Sequence, residues 1–197
     1  MLIYASTNLP FDSSLYNKVR HFPNKTIALY LKYLEESFLI EKSKRFDVKG
    51  KKYIETPSKY YFVDIGIRNS LINFRQIEKT HIMENIIYTE LRRRGFNVDV
   101  GIVEKRKTDE NGKKYYTQLE VDFVANKGSD KYYIQSAYSI EDNSKREQEL
   151  QSLLNISDNF KKMVIVYDSF IKWQDENGIV YISIYDFLLN ENSLKEA

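Results

Sequence analysis

Two runs, Leu119-Glu-Val-Asp-Phe-Val124 and Tyr132-Tyr-Ile-Gln-Ser-Ala137, constrain this chain more than any other stretch. Both concentrate β-branched and aromatic residues, and Lys127-Gly-Ser-Asp-Lys131 lies between them. They read as a β-hairpin with a loop slightly longer than the tightest turns. Side chains alternate along a strand, so Glu120 and Asp122 share one face while Leu119, Val121 and Phe123 share the other. Tyr133, Gln135 and Ala137 share a face of the second strand in the same way. The pairing lets an acidic side chain, Asp122, converge with a polar one, Gln135.

Around that hairpin the chain has 197 residues, enough for one large or two small domains with their own cores. The net charge of +2 gives no global attraction to polyanions, so any nucleic-acid surface has to be local. There is no cysteine, which excludes disulfides and cysteine-based zinc sites, and the only two histidines, His21 and His81, are far apart. No apolar run approaches membrane-spanning length and no signal-peptide pattern opens the chain, so a cytoplasmic protein without a membrane partner is expected.

From the N-terminus, Leu15, Val19 and Phe22 recur at helical spacing behind Asp12 or Ser13 as cap, and Pro23-Asn24 ends that helix. A second helix carries Ile27, Leu31, Leu34 and Phe38, a stripe that reads as a core face. A strand over 39–48, a turn at Lys49-Gly50-Lys51-Lys52 and a strand over 53–56 follow. Two short helices and a hairpin is the order of a winged helix-turn-helix. Lys42, Lys44, Arg45, Lys49, Lys51 and Lys52 lie on this wing against one interior acid, Asp47. Such a wing can lie along phosphates, or it can be a solvated hairpin in an interdomain adaptor.

The remainder alternates strands and helices. Residues 60–63 read as a strand that leaves through Asp64 and Gly66 into a helix, and 83–94 as a helix stopped by Gly95. In that helix Met83, Ile87 and Leu91 form the apolar stripe. Glu84 lies beside the stripe and can face solvent or point across a sheet edge into a site. Further strands are expected over 98–103, 163–167 and 179–182, with helices over 142–154 and 184–189. The continuous apolar run at 163–167 suits a strand covered on both faces. Trp173 reads as a lid over the sheet edge.

The hairpin core resembles the PD-(D/E)xK nuclease fold, in which an Asp on one strand and an acidic-x-Lys on the next hold a divalent metal. By that resemblance Asp122 matches the Asp, Gln135 the second acid and Ala137 the lysine. Lys59-Tyr-Tyr-Phe-Val-Asp-Ile-Gly-Ile-Arg68, Glu84-Asn-Ile-Ile-Tyr88, Arg94-Gly95, Glu120-Val-Asp-Phe-Val124 and Tyr133-Ile-Gln135 together resemble the C-terminal region of a large group of prokaryotic AAA-type ATPases. There a winged-helix segment and an uncharacterised nuclease-like domain follow the ATPase. The resemblance runs from about Asn24 through Arg146-Glu147 and Ile156-Ser-Asp158. It implies an α/β chain with a winged-helix-like segment over 1–65 and a PD-(D/E)xK (restriction-endonuclease-like) mixed-sheet domain over 66–197.

The same resemblance implies a degenerate site of Glu84, Asp122, Gln135 and Ala137. Glu84, Asp122 and Gln135 would bind Mg²⁺ weakly, with Glu120 in reserve. The charge of the hairpin makes Lys44, Arg45, Lys49, Lys51 and Lys52 the candidate nucleic-acid contacts. Lys145 is the candidate for a migrated amine. The chain contains no Gly-rich phosphate loop, since Asn111-Gly112-Lys113-Lys114 lacks both the spacing and the hydroxyl residue. ATP therefore enters only through an ATPase domain outside this chain, which is either a fragment of a larger ATPase or a stand-alone remnant.

Three functions follow as expectations. One is a non-catalytic module that places an ATPase on DNA or a protein partner. Another is a metal-dependent DNA nuclease with an atypical site. The last is an oligomerisation or docking domain, whose partner is its own N-terminal ATPase domain or another copy.

Overall fold

The alternating run at Leu119–Val124 lies within a long strand, and every other strand among the described residues joins the same sheet. The computed structural model describes residues 24–75, 78–109, 112–139 and 150–196. The expected helix over 15–22 and the proposed amine Lys145 lie outside the described residues. In chain order the elements are α1 (Asn24–Glu36), β1 (Ile40–Asp47), β2 (Lys52–Phe62), α2 (Ile65–Leu71), α3 (Lys79–Arg93), β3 (Asn97–Thr108), β4 (Lys114–Lys127), β5 (Asp130–Ala137), β6 (Lys161–Val166), β7 (Trp173–Gln174), β8 (Ile179–Ser183) and α4 (Ile184–Leu189). A further helical stretch covers residues 150–154. Among the described residues the strands make one mixed sheet in the order β2-β1-β3-β4-β5-β6-β8-β7. The chain is thus α/β, and its sheet is large and mixed.

The β4–β5 hairpin is tighter than its sequence suggests. Lys127 pairs with Asp130, leaving only Gly128 and Ser129 in the turn. Gly128 has φ +60°, a conformation that glycine adopts without steric cost at the first position of a two-residue hairpin loop.

The region expected to hold two short strands, 53–56 and 60–63, is one strand, β2, with an irregularity in its middle. Ser43 faces Lys59 while Arg45 faces Ile54, so Lys44 opposes a longer piece of β2 that includes Pro57. Proline has no N–H for a ladder, and a bulge on an edge strand accommodates it. The hydrogen-bonded sheet continues across the expected boundary at 65/66, because Arg45, Phe46 and Asp47 of β1 pair in parallel with Val100, Gly101 and Ile102 of β3.

The apolar stripe of α1 is not a core face. Leu34 is 39% exposed and Phe38 80% exposed, and Ile27 and Leu31 are only half-buried. The periodicity is that of an amphipathic helix, but the sheet within reach takes only part of it. Phe38 follows the helix in the left-handed conformation, φ +57°, with Leu39 N–H closing back on the Leu34 carbonyl.

The core has two apolar layers, one on each side of the sheet. Tyr61, Ile87, Leu91, Phe123, Ile134, Met163, Ile165 and Phe187 fill the layer under α3 and α4. Val103, Val121, Val124, Tyr133, Leu153, Val164, Val166 and Tyr181 fill the layer under residues 150–154. β6 contributes to both, as its unbroken apolar run requires, and each such side chain contributes about 1.5–3 kcal/mol on burial. Trp173 lies flat on Tyr181 at the far edge, with rings 4.1 Å apart and 1° from parallel.

Strict alternation fails at one place in β4. Val121 lies in the second layer and Phe123 in the first, although the sequence assigns them one face. Asp99 pairs with Val124 and Gly101 with Val121, so Val100 alone opposes Asp122 and Phe123. This bulge inserts one residue and re-aims the side chains beyond it.

Candidate functional site

The irregularities in β2 and β4 bring charged side chains together beneath α3. Lys59 and Tyr61 alternate on β2 and share a face. Lys59 Nζ lies 2.5 Å from Glu84 Oε1 and 3.1 Å from Glu120 Oε1. Tyr61 donates its hydroxyl to the same Glu84 oxygen at 2.7 Å and stacks on Tyr88 of α3 at 3.9 Å. Arg45 takes the other oxygen of Glu120 at 3.0 Å and donates through Nε to the Pro57 carbonyl at 2.7 Å. β1 and β3 separate β2 from β4 in the sheet, so contact between Lys59 and Glu120 requires the sheet to curl strongly at this edge.

Asp122 sits where the β4–β5 ladder opens. The last paired residues are Phe123 and Ile134. One step further, side chains replace the ladder: Asp122 Oδ2 accepts the Ser136 N–H at 2.8 Å, and Gln135 Oε1 accepts the Asp122 N–H at 3.4 Å. Ser152 Oγ, from the helical stretch on the opposite layer, donates to the same Gln135 oxygen at 3.4 Å.

Burial pushes the Asp122 carboxyl up to about 8, and the nearby Glu84 carboxylate adds to this, while Lys59 and the Ser136 N–H oppose it. Burial alone would lower the Lys59 ammonium, yet the Glu84, Asp122 and Glu120 carboxylates outweigh it and hold Lys59 above its ordinary value. Burial, then Glu84, likewise pushes the Tyr61 phenol well up. At neutral pH this gives a charged lysine and a neutral tyrosine, beside an Asp122 that holds its proton far more tightly than an ordinary aspartate.

Glu84 and Asp122 therefore face a common group, and Gln135 touches the Asp122 backbone rather than its carboxylate. Ala137 is packed with Tyr133 and Val166 in the second apolar layer, with no polar function. The amine that sequence reasoning placed at Lys145 has a described counterpart in Lys59, which that reasoning passed over. The available signal was a lysine directly before the aromatic run Tyr60-Tyr61-Phe62.

Mg²⁺ requires a near-octahedral set of oxygens with free lone pairs. Here Glu84 Oε1 already accepts from Lys59 and Tyr61, and Asp122 Oδ2 accepts from Ser136. Among the described residues no three or more His, Asp or Glu side chains are placed to hold a metal ion. An ammonium touching a would-be ligand repels a second cation. The side chains as placed do not fit Mg²⁺.

The basic residues of the β1–β2 hairpin divide. Arg45 turns inward to Glu120, and Lys44 lies 5.5 Å over the Tyr53 ring. Lys49, Lys51 and Lys52 are exposed on the turn, which Asp47 shapes by accepting the N–H groups of Lys49 and Gly50. Lys49 Nζ reaches the Glu104 carbonyl at 3.0 Å. No helix among the described residues is long and apolar enough to cross a membrane.

Residues 6–78 match the model of a domain of unknown function, DUF8612. An uncharacterised protein of Haemophilus influenzae is 36% identical over 166 residues, 84% of this chain and 37% of that protein. The uncharacterised protein MJ1544 of Methanocaldococcus jannaschii is 34% identical over 119 residues, 60% of this chain and 24% of that protein. The chain thus spans well under half the length of these curated relatives. No solved structure matches it.

Proposed function

We propose that this chain is a non-catalytic binding module of a larger AAA-type ATPase, placing it on DNA or on a protein partner, with a nuclease-like site closed by its own cation. The observation that carries this reading is the Lys59 ammonium wedged between Glu84 and Glu120, where a nuclease would hold its metal. The neutral residues at 135 and 137 agree with it: Gln135 is used to hold β4 against β5, and Ala137 is buried in an apolar layer. A role within a larger protein is supported by the relatives, most of whose length lies outside the matched part. The exposed Lys49, Lys51 and Lys52 offer phosphate contacts without sequence reading.

A nuclease with a migrated lysine is the second reading, and Lys59 is what favours it, since it restores an amine beside Glu84 and Asp122. The two readings part in one experiment. The protein is titrated calorimetrically with Mg²⁺ and Mn²⁺ and incubated with single- and double-stranded DNA and either metal, beside Asp122→Ala and Lys59→Ala. The binding-module reading expects weak or no metal uptake and no cleavage. Metal-dependent cleavage that disappears in both variants overturns it in favour of the nuclease.

A further inference from the structure

Three tyrosines line up where the parallel strands end. Tyr138 follows β5, Tyr167 follows β6, and Tyr185 lies in the first turn of α4 after β8. The Tyr138 and Tyr167 rings stack at 4.8 Å and 10°, and the Tyr167 and Tyr185 centroids are 6.4 Å apart at 46°. The Tyr185 and Tyr167 hydroxyls lie close enough to interact. Carboxyl ends of parallel strands are where α/β sheets take their ligands. Tyr167 is 43% and Tyr185 48% exposed, a large aromatic surface to leave in water.

The inner end of this shelf shows what it accepts. Lys79 Nζ, from the start of α3, lies 5.9 Å from the centroid of the Tyr138 ring, within the range where a cation is drawn to an aromatic face. The outer end has a carboxylate beside it. Asp168 is exposed next to Tyr167 and close enough to act on the Tyr185 hydroxyl. Electron-rich rings with adjacent negative charge suit a guanidinium or ammonium group. They suit a phosphodiester poorly, because Asp168 repels it.

We propose that Tyr167, Tyr185 and Asp168 form a seat for an arginine or lysine side chain on a basic segment of a protein partner. This rests on the reading of the chain as a binding module and selects the protein rather than the nucleic acid as the occupant of this face. A guanidinium lies over the exposed Tyr185 and Tyr167 rings while Asp168 neutralises it.

The test uses the full chain and a fluorescein-labelled hexa-arginine peptide, followed by anisotropy at several salt concentrations, with labelled oligothymidylate as the competing probe. Tyr185→Ala should weaken the peptide about three- to tenfold, Tyr185→Phe should retain it, and Asp168→Asn should weaken it and reduce its salt dependence. Asp168→Lys reverses the charge without touching the rings and should abolish binding, which guards against a Tyr185→Ala variant that folds poorly. Absence of peptide binding, or affinity unchanged in Tyr185→Ala and Asp168→Lys, overturns the seat. Oligothymidylate binding that disappears in Tyr185→Ala overturns it too and assigns the rings to nucleobases. Failure here leaves the metal and cleavage results untouched, so the seat and the binding-module reading fail separately.

Discussion

Lys59 and Glu84, on a strand and a helix, meet at 2.5 Å with each side chain only 11% exposed. An ion pair so placed is weak as a source of net stability, but removing one partner strands the other's charge. Lys59→Met should therefore lower the urea-derived unfolding free energy by about 3 kcal/mol or more. A loss under about 1 kcal/mol would mean that water reaches Glu84 freely, and the picture of a sealed site would fall with it.

Asp122 makes the same cluster pH-sensitive. Its folded-state value, raised to about 8 by burial and Glu84, lies above the unfolded value of about 4. Between these limits the folded chain keeps a proton that the unfolded chain has released, so stability falls as pH rises through that window. Below it both states are protonated, and above it both are ionised, so neither side adds slope. Chemical denaturation from pH 4.5 to 8.5, values chosen to span roughly that window, should show this decline in the wild type and a flatter profile in Asp122→Asn. Parallel profiles would remove Asp122 from the account.

How much of this was legible in the sequence depends on range. Local alternation located β4, β5 and the fully apolar β6, and cap and stop residues located α2 and α3, with Asp64 accepting from the Ile67 N–H and Gly95 at φ +82°. The bulge at Asp122 and Phe123 was not legible, because an inserted residue appears only when the partner strand is known. Lys59 was missed for a related reason. Its role depends on curling of the sheet, which no window of sequence contains. The exposed stripe on α1 shows the reverse error, where periodicity identified an amphipathic helix but not what covers it.

Gly101 faces Val121 at the edge of that bulge. A Cβ there would lie 2.8 Å from Val124 Cγ2 and 2.9 Å from Val121 Cβ. Gly101→Ala is expected to cost about 1–3 kcal/mol through overpacking, measured by thermal or urea unfolding. An unchanged midpoint would show that β3 and β4 separate more easily than their pairing implies.

Phe38 offers a gain. Its left-handed φ of +57° disfavours a bulky residue, and its ring is 80% exposed. Phe38→Gly should raise stability by about 0.5–1 kcal/mol, since glycine at this helix end relieves the strain. A destabilised variant would instead indicate that the ring packs against something in solution.

The basic turn makes the nucleic-acid half of the proposed function testable. Replacing Lys49, Lys51 and Lys52 with Ala should weaken duplex DNA binding alike for all sequences. It should also flatten the salt dependence by about one unit of slope for each lysine that touches a phosphate. Binding that ignores salt, or no binding at low salt, would remove DNA as the partner of this face.

The break in pairing between Ser43 and Arg45 has one more effect. Among the described residues β2 lies at the end of the sheet order, with β1 on one side only. An open edge of such length invites a strand from another molecule and so templates aggregation. The bulge twists this edge out of register, Pro57 withholds a donor, and the exposed Lys52 adds charge at one end of the stretch. The distortion that turns Arg45 towards Glu120 also keeps the edge from recruiting foreign strands, which links the composition of the charged cluster to the protein's solubility at high concentration.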